Sequence, residues 1–140
     1  MKLAERARLN LSDVWARAFS TYGAFGIGHL SEMSKVDLGV AEQNLLRNVG
    51  SGVLLCLAVG AIDAQRPPVL LFPAFQFDQD GDVLPVMSAI SRLASAWDME
   101  TRFLWLTSPN GWLGKQAPAE LLATNPDAVL RALELAMSAA

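Results

Sequence analysis

The chain is predicted to be mainly α: a helical, helix-turn-helix-like N-terminal part carrying a small β-hairpin, then a small α-helical domain, with the division at 1–71 and 72–140. Two observations predict this. Apolar residues recur at helical spacing through most of the 140 residues. Only two short runs, "GVLLCLAVG" and "PPVLLFPAFQF", have the Val/Leu/Phe content and the Gly/Pro borders of strands.

Residues 9–22, "LNLSDVWARAFSTY", place Leu11, Val14, Trp15, Ala18, Phe19 and Tyr22 on one stripe, with Asn10 or Ser12 as cap. The glycines of "GAFGIG" end that helix. With no strand before them and no Gly-Lys-Ser/Thr after, they read as an inter-helix turn rather than a phosphate loop. Within 30–52, Ser31 is placed to cap a short helix, Gly39 to sit in a turn, and Ala41–Val49 to form a second helix at helix-turn-helix spacing. Met33, Val36, Leu38, Val40, Leu45 and Val49 would then be interior, leaving Glu42, Gln43, Asn44, Arg47 and Asn48 outside. Of these, Gln43, Asn44 and Arg47 carry the groups that read adenine and guanine edges, which makes them the candidate DNA-binding residues.

The two apolar runs form the predicted hairpin, and the prolines at 67, 68 and 73 confine the second run to an edge or to an irregular extended segment. Phe72, Phe75 and Phe77 on that strand need a cover. Asp78, Asp80 and Asp82 alternate as in a calcium loop, but Gly81 falls fourth and Ala89 twelfth, where such a loop needs glycine sixth and a carboxylate twelfth. An Asp-Gly turn fits better. It leads into a helix with Pro85 at its start and Val86, Ile90, Leu93 and Trp97 on one face. Residues 99–107 form a further helix, "PAELLA" a helical turn, and the last helix has Asn125 as cap, Pro126 at its first position and Val129, Leu130, Leu133 and Met137 as its apolar face.

Composition narrows the function. An apolar share of 52% and a mean hydropathy of +0.28 suggest apolar surface covered by a partner. The longest apolar run, 52–62, has 11 residues, too few to cross a bilayer, and no targeting segment is visible; a cytoplasmic protein is expected. Residues 1–75 hold seven Lys/Arg against six Asp/Glu (+1) and residues 76–140 four against eight (−4), while the pI near 5.0 argues against a general nucleic-acid binder. Catalytic chemistry has little to work with. His29 sits at a turn and Cys56 in an apolar run, Ser12, Ser31 and Ser108 lie where caps and turns want hydroxyls, and no metal or cofactor set can be assembled. A binding protein, not an enzyme, is expected.

Over residues 72 to about 137 the chain resembles the toxin-binding domain of the MbcA/ParS/Xre antitoxin family. The resemblance rests on Pro73, Phe75, Gln76, Phe77 and Asp78, then Gly81 and Pro85, Trp105-Leu106 ahead of Pro109-Asn110, Leu113-Gly114, Pro118, and Leu121-Leu122 before a last helix. It implies a type II toxin-antitoxin module: a homodimeric antitoxin that binds a RES-domain toxin and obstructs its NAD-binding site, the toxin degrading NAD or using it for ADP-ribosylation. It also implies repression of its own operon through operator DNA, although the expected recognition helix has Arg47 as its sole cation. Asn110, Trp112, Lys115, Asp127, Arg131 and Glu134 are the exposed candidates for toxin contact, with Trp97 and Trp105 assigned to the core. The competing reading is a helix-turn-helix transcriptional regulator without a toxin partner.

Overall fold

A computed structural model describes residues 3–60 and 68–139, without the side chains of 3–12. The order is α1 (Leu3–Tyr22), β1 (Ala24–Phe25), α2 (Ile27–Ser34), α3 (Leu38–Gly50), β2 (Leu57–Val59), β3 (Val69–Pro73), α4 (Val86–Leu93), α5 (Met99–Thr107) and α6 (Pro126–Ser138). Short 3-10 turns lie at Ala74–Gln76, Gly111–Leu113 and Pro118–Glu120. The chain is thus mainly helical around one small antiparallel sheet, as its periodicity predicts. Among the described residues no helix is long and apolar enough to cross a membrane.

Several local expectations are corrected. Asn10 and Ser12 do not cap α1, which begins at Leu3 because "LAERARL" is made of strong helix formers. The stripe holds where side chains are described: Trp15 and Ala18 are buried and Val14, Phe19 and Tyr22 half-buried, while Leu11 lies outside the described side chains. "GAFGIG" is more than a turn, since Ala24 and Phe25 pair with Pro73 and Phe72.

Ser31 lies within α2 rather than ahead of it; Gly26 takes the cap position. The left-handed residue that ends α2 is Lys35 (φ 56°), and the Val36 N–H donates to the Ser31 carbonyl across it. Because the bend falls there, Gly39 is already in the first turn of α3, where Asp37 caps the helix by accepting the Gly39 N–H. Starting α3 three residues earlier than expected changes which residues face inward. Ala41 and Leu45 are buried and Met33, Val36 and Val49 half-buried, but Leu38 and Val40 are exposed at 54% and 47%.

The expected hairpin is present. Leu57, Ala58 and Val59 pair with Leu71, Leu70 and Val69. Its second strand, however, is the centre of the sheet in the order β1-β3-β2, not an edge. Proline permits this because β3 changes partner at Phe72: residues 69–71 face β2 and residues 72–73 face β1. Pro73, which has no N–H, is the last residue, and Ala74 N–H continues the pattern to the Gly23 carbonyl at 3.0 Å. Pro67 lies outside the described residues. Phe72 is fully covered, Phe77 buried and Phe75 half-buried.

Two apolar clusters hold the molecule together. The larger joins Trp15 and Ala18 of α1 to Val86, Met87 and Ile90 of α4, Phe103 and Leu106 of α5 and Val129, Ala132 and Leu133 of α6. Trp15 and Phe103 stack with ring centroids 3.7 Å apart and planes 5° from parallel, a contact worth about 1 kcal/mol beyond its buried area. The smaller contains Leu30, Leu45, Leu54, Cys56, Phe72 and Phe77. Neither stops at 71/72. Leu54 and Leu55, adjacent in the segment between α3 and β2, point into different clusters.

Gln76 fastens the two parts. Fully buried, its carboxamide accepts the Leu55 N–H at 2.6 Å and donates to the Leu55 carbonyl at 3.0 Å and the Pro73 carbonyl at 3.2 Å. It satisfies backbone groups that no strand neighbour supplies. The expected face of α4 is adjusted as well: Val86 and Ile90 are buried with Met87, whereas Leu93 is exposed and Trp97 lies beyond the helix end, tilted against Trp105 at 6.2 Å. Trp97 and Trp105 are half-buried against the larger cluster.

Candidate functional site

The corner between α5 and α6 is built by one asparagine. Asn110 N–H donates to the Gln116 carbonyl, its own carbonyl accepts the N–H groups of Leu113 and Lys115, and its side-chain oxygen accepts the Trp112 N–H at 2.9 Å. Residues 110–116 are thereby closed on themselves. Gly114 (φ 64°) and Lys115 (φ 69°) are both left-handed, and the second, carrying a side chain, is a strained position. Asn110 is therefore half-buried, not fully exposed as expected, with its side-chain oxygen engaged by backbone.

Inside this turn two neighbours have opposite fates. Leu113 is buried in the larger cluster with Val129, Ala132 and Leu133 of α6. Trp112 is 68% exposed, the most exposed large apolar side chain among the described residues. The closed turn fixes the backbone from which this ring projects, so a partner would have only the side chain left to order. Lys115 is exposed beyond it.

α6 follows through the Pro118–Glu120 turn, where the Glu120 carboxylate accepts the Ala117 N–H at 2.7 Å. Asn125 caps α6 by accepting the Ala128 N–H, as expected, and Pro126 occupies the first helical position. Val129 and Leu133 are fully buried with Ala132, and Leu130 and Met137 half-buried. Asp127, Arg131 and Glu134 are exposed; at 100° per residue they fall on one stripe opposite the buried face. The structure brings the corner and α6 together through Leu113.

The other expected site lies on α3. Gln43, Asn44 and Arg47 are exposed on its outer side with Glu42, but Asn48 is half-buried, its carbonyl accepting the N–H groups of Val53 and Leu54. Leu46, not anticipated at all, is exposed at 44%. Its exposure follows from helix phase: Leu46 lies 100° round the helix from buried Leu45 and farther still from Ala41, wherever the helix begins.

The remaining reactive groups are separately placed. Cys56 is buried in the smaller cluster, and burial raises its thiol above the ordinary value. His29 is exposed on α2, stacked on Phe25 with centroids 4.9 Å apart. Burial, then the nearby Glu120 charge, raises the Tyr22 phenol. Asp98, cap of α5, is lowered by its hydrogen bonds to Thr101. The carboxylates of Asp78, Asp80 and Asp82 are exposed and approach within 4.8 Å of one another. Asp78 accepts the N–H groups of Asp80 and Asp82, so the spacing serves a turn.

Compared with family models, with curated proteins and with solved structures, the chain gives no significant match to any of them.

Proposed function

We propose that this chain is a cytoplasmic antitoxin that binds a RES-domain toxin and covers its NAD site, the toxin being one that degrades NAD or transfers ADP-ribose. The observation that carries the reading is Trp112, exposed on a turn whose backbone is fixed and whose Leu113 is anchored in the core. Hot spots in protein interfaces are typically such aromatic residues, pre-placed and able to enter a pocket. The charge distribution supports the same partner: residues 76–140 carry four basic against eight acidic side chains, which suits a surface whose nucleotide site is lined by cations. Occlusion asks for no catalytic group on this chain. An antitoxin of this kind is expected to have a neighbouring reading frame for a RES-domain protein, and the direct test is co-expression with that product: growth is restored and the two co-purify. A neighbour that never co-purifies refutes the reading.

A transcriptional regulator is the second reading, favoured by the exposure of Gln43, Asn44 and Arg47 on one side of α3. With Arg47 the only cation of that helix, phosphate neutralisation is small. A titration against the upstream DNA showing sequence-specific binding with a steep salt dependence would favour the regulator.

A further inference from the structure

We propose that the groove between α2 and the 77–80 loop receives an arginine or lysine side chain of the toxin, an occupant that rests on the antitoxin function proposed above. The groove holds about 540 Å³, within the roughly 300–1,000 Å³ of small-ligand sites. Phe25 of β1, Met33 of α2, Phe77 and Leu84 form its apolar wall, and the exposed carboxylates of Asp78 and Asp80 stand along it. No Lys or Arg among the described residues lines it, and Lys35, which ends α2, stays outside the lining. Along the chain, residues 67–91 hold Asp78, Asp80 and Asp82 and no Lys or Arg at all.

An apolar wall with an acidic edge selects one chemistry. A long basic side chain lays its aliphatic stem on apolar surface and keeps its charged head at the edge. An acidic group would be repelled by both carboxylates, and aromatic rings in the wall add attraction for a cation. The parts are fixed before any ligand arrives. Phe25 has His29 stacked on it at 4.9 Å and meets Phe77 at 6.1 Å with planes 55° apart. The loop is closed by the Asp78 N–H donating to the Asp82 carbonyl at 2.8 Å. A single oxygen of Asp78, Oδ1, accepts the N–H groups of Asp80 and Asp82 at 2.9 and 3.0 Å, which orients the carboxylate and leaves Oδ2 for an outside donor. A toxin whose nucleotide site is lined by cations presents such side chains on the surface to be covered, and arginine is enriched in interfaces.

Titrating the isotope-labelled chain with n-butylguanidinium, followed by amide chemical shifts, reads the groove by itself. Shifts at Phe25, Met33 and residues 77–80 are expected to saturate in the millimolar range. Pentanol, without charge, and pentanoate, of opposite charge, are expected to bind at least about fivefold more weakly. Asp78→Asn combined with Asp80→Asn keeps the Oδ1 acceptor of the turn and removes both charges. Its melting temperature should stay within about 2 °C of wild type, while guanidinium binding falls about fivefold and toxin binding about tenfold. Phe25→Leu, an apolar wall without the ring, gives a second reading, with the cation alone bound about threefold more weakly. Equal shifts with all three probes, or shifts spread over distant carboxylates such as Asp98 and Glu134, overturn the proposal. So does a toxin that binds the charge-neutral pair as tightly as wild type, a result the antitoxin function survives. A toxin that does not bind the wild-type chain refutes that function and removes the occupant with it.

Discussion

Replacing Gln76 by leucine, of nearly the same volume, would remove three hydrogen bonds at once while leaving the packing space filled. Leu55, only 1% exposed, would lose the partners of both its N–H and its carbonyl. Each orphaned backbone group costs about 2 kcal/mol, and the leucine side chain returns about 1 kcal/mol by burial, for a net loss of about 3 kcal/mol. For a chain of this length that lowers the melting temperature by about 10 °C. Thermal unfolding followed by circular dichroism measures it, with Gln79→Leu, at an exposed position, as the control expected to stay within about 0.5 kcal/mol. Gln76→Glu adds a signature. Its carboxylate would face the Leu55 and Pro73 carbonyls with no proton to donate, raising the carboxyl pKa in the folded state above its unfolded value. A raised folded pKa means stability that is present at low pH and lost as pH rises, so this variant should recover on acidification. A Gln76→Leu melting temperature equal to wild type would refute the claim that this carboxamide joins the two parts of the molecule.

Other expected outcomes concern the loop, the thiol and the corner. Gly81 has φ 78°, and a Cβ there would lie 2.9 Å from the Met33 Cβ; Gly81→Ala should cost about 2 kcal/mol or more in denaturant unfolding, with Met33→Ala relieving only the steric part. Cys56 should react with a thiol reagent at pH 8 far more slowly in the native chain than in denaturant, because it is buried and its thiol pKa is raised. That raised pKa also makes a contribution to stability that is lost as the pH climbs past the unfolded thiol value of about 8.5, so the alkaline limb of the stability profile should steepen there. Trp112→Ala should leave the melting temperature within about 2 °C of wild type, since the ring covers no core, while weakening toxin binding by about thirtyfold; unchanged binding would remove Trp112 from the interface.

Helices with strong chemical punctuation were legible in the residues. Asn125-Pro126 fixed the start of α6, Pro85 the start of α4, and the stripe from Val14 to Tyr22 the buried side of α1. What escaped depended on backbone conformations that residue type does not announce. Lys35, not a glycine, adopts the left-handed turn, which moved the start of α3 and turned Leu38 and Val40 outward. The two-residue strand at Ala24–Phe25 exists only because β3 arrives from far along the chain, and that same pairing makes a proline-bearing strand central. At the corner, "SPNG" showed a turn, but its closure by four hydrogen bonds to Asn110 needs coordinates. The contrast between exposed Trp112 and buried Leu113 follows from that closure, because a single 3-10 turn sends adjacent side chains in different directions.

The central claim is tested most directly by NAD consumption. The proposed partner, a RES-domain toxin, is assayed for loss of NAD while the purified chain is titrated in. NAD loss is expected to stop once the toxin is saturated, and, with toxin held well below the dissociation constant of the wild-type complex, Trp112→Ala is expected to need about thirtyfold more protein to reach half-inhibition. Undiminished NAD loss with the wild-type chain in large excess would contradict it.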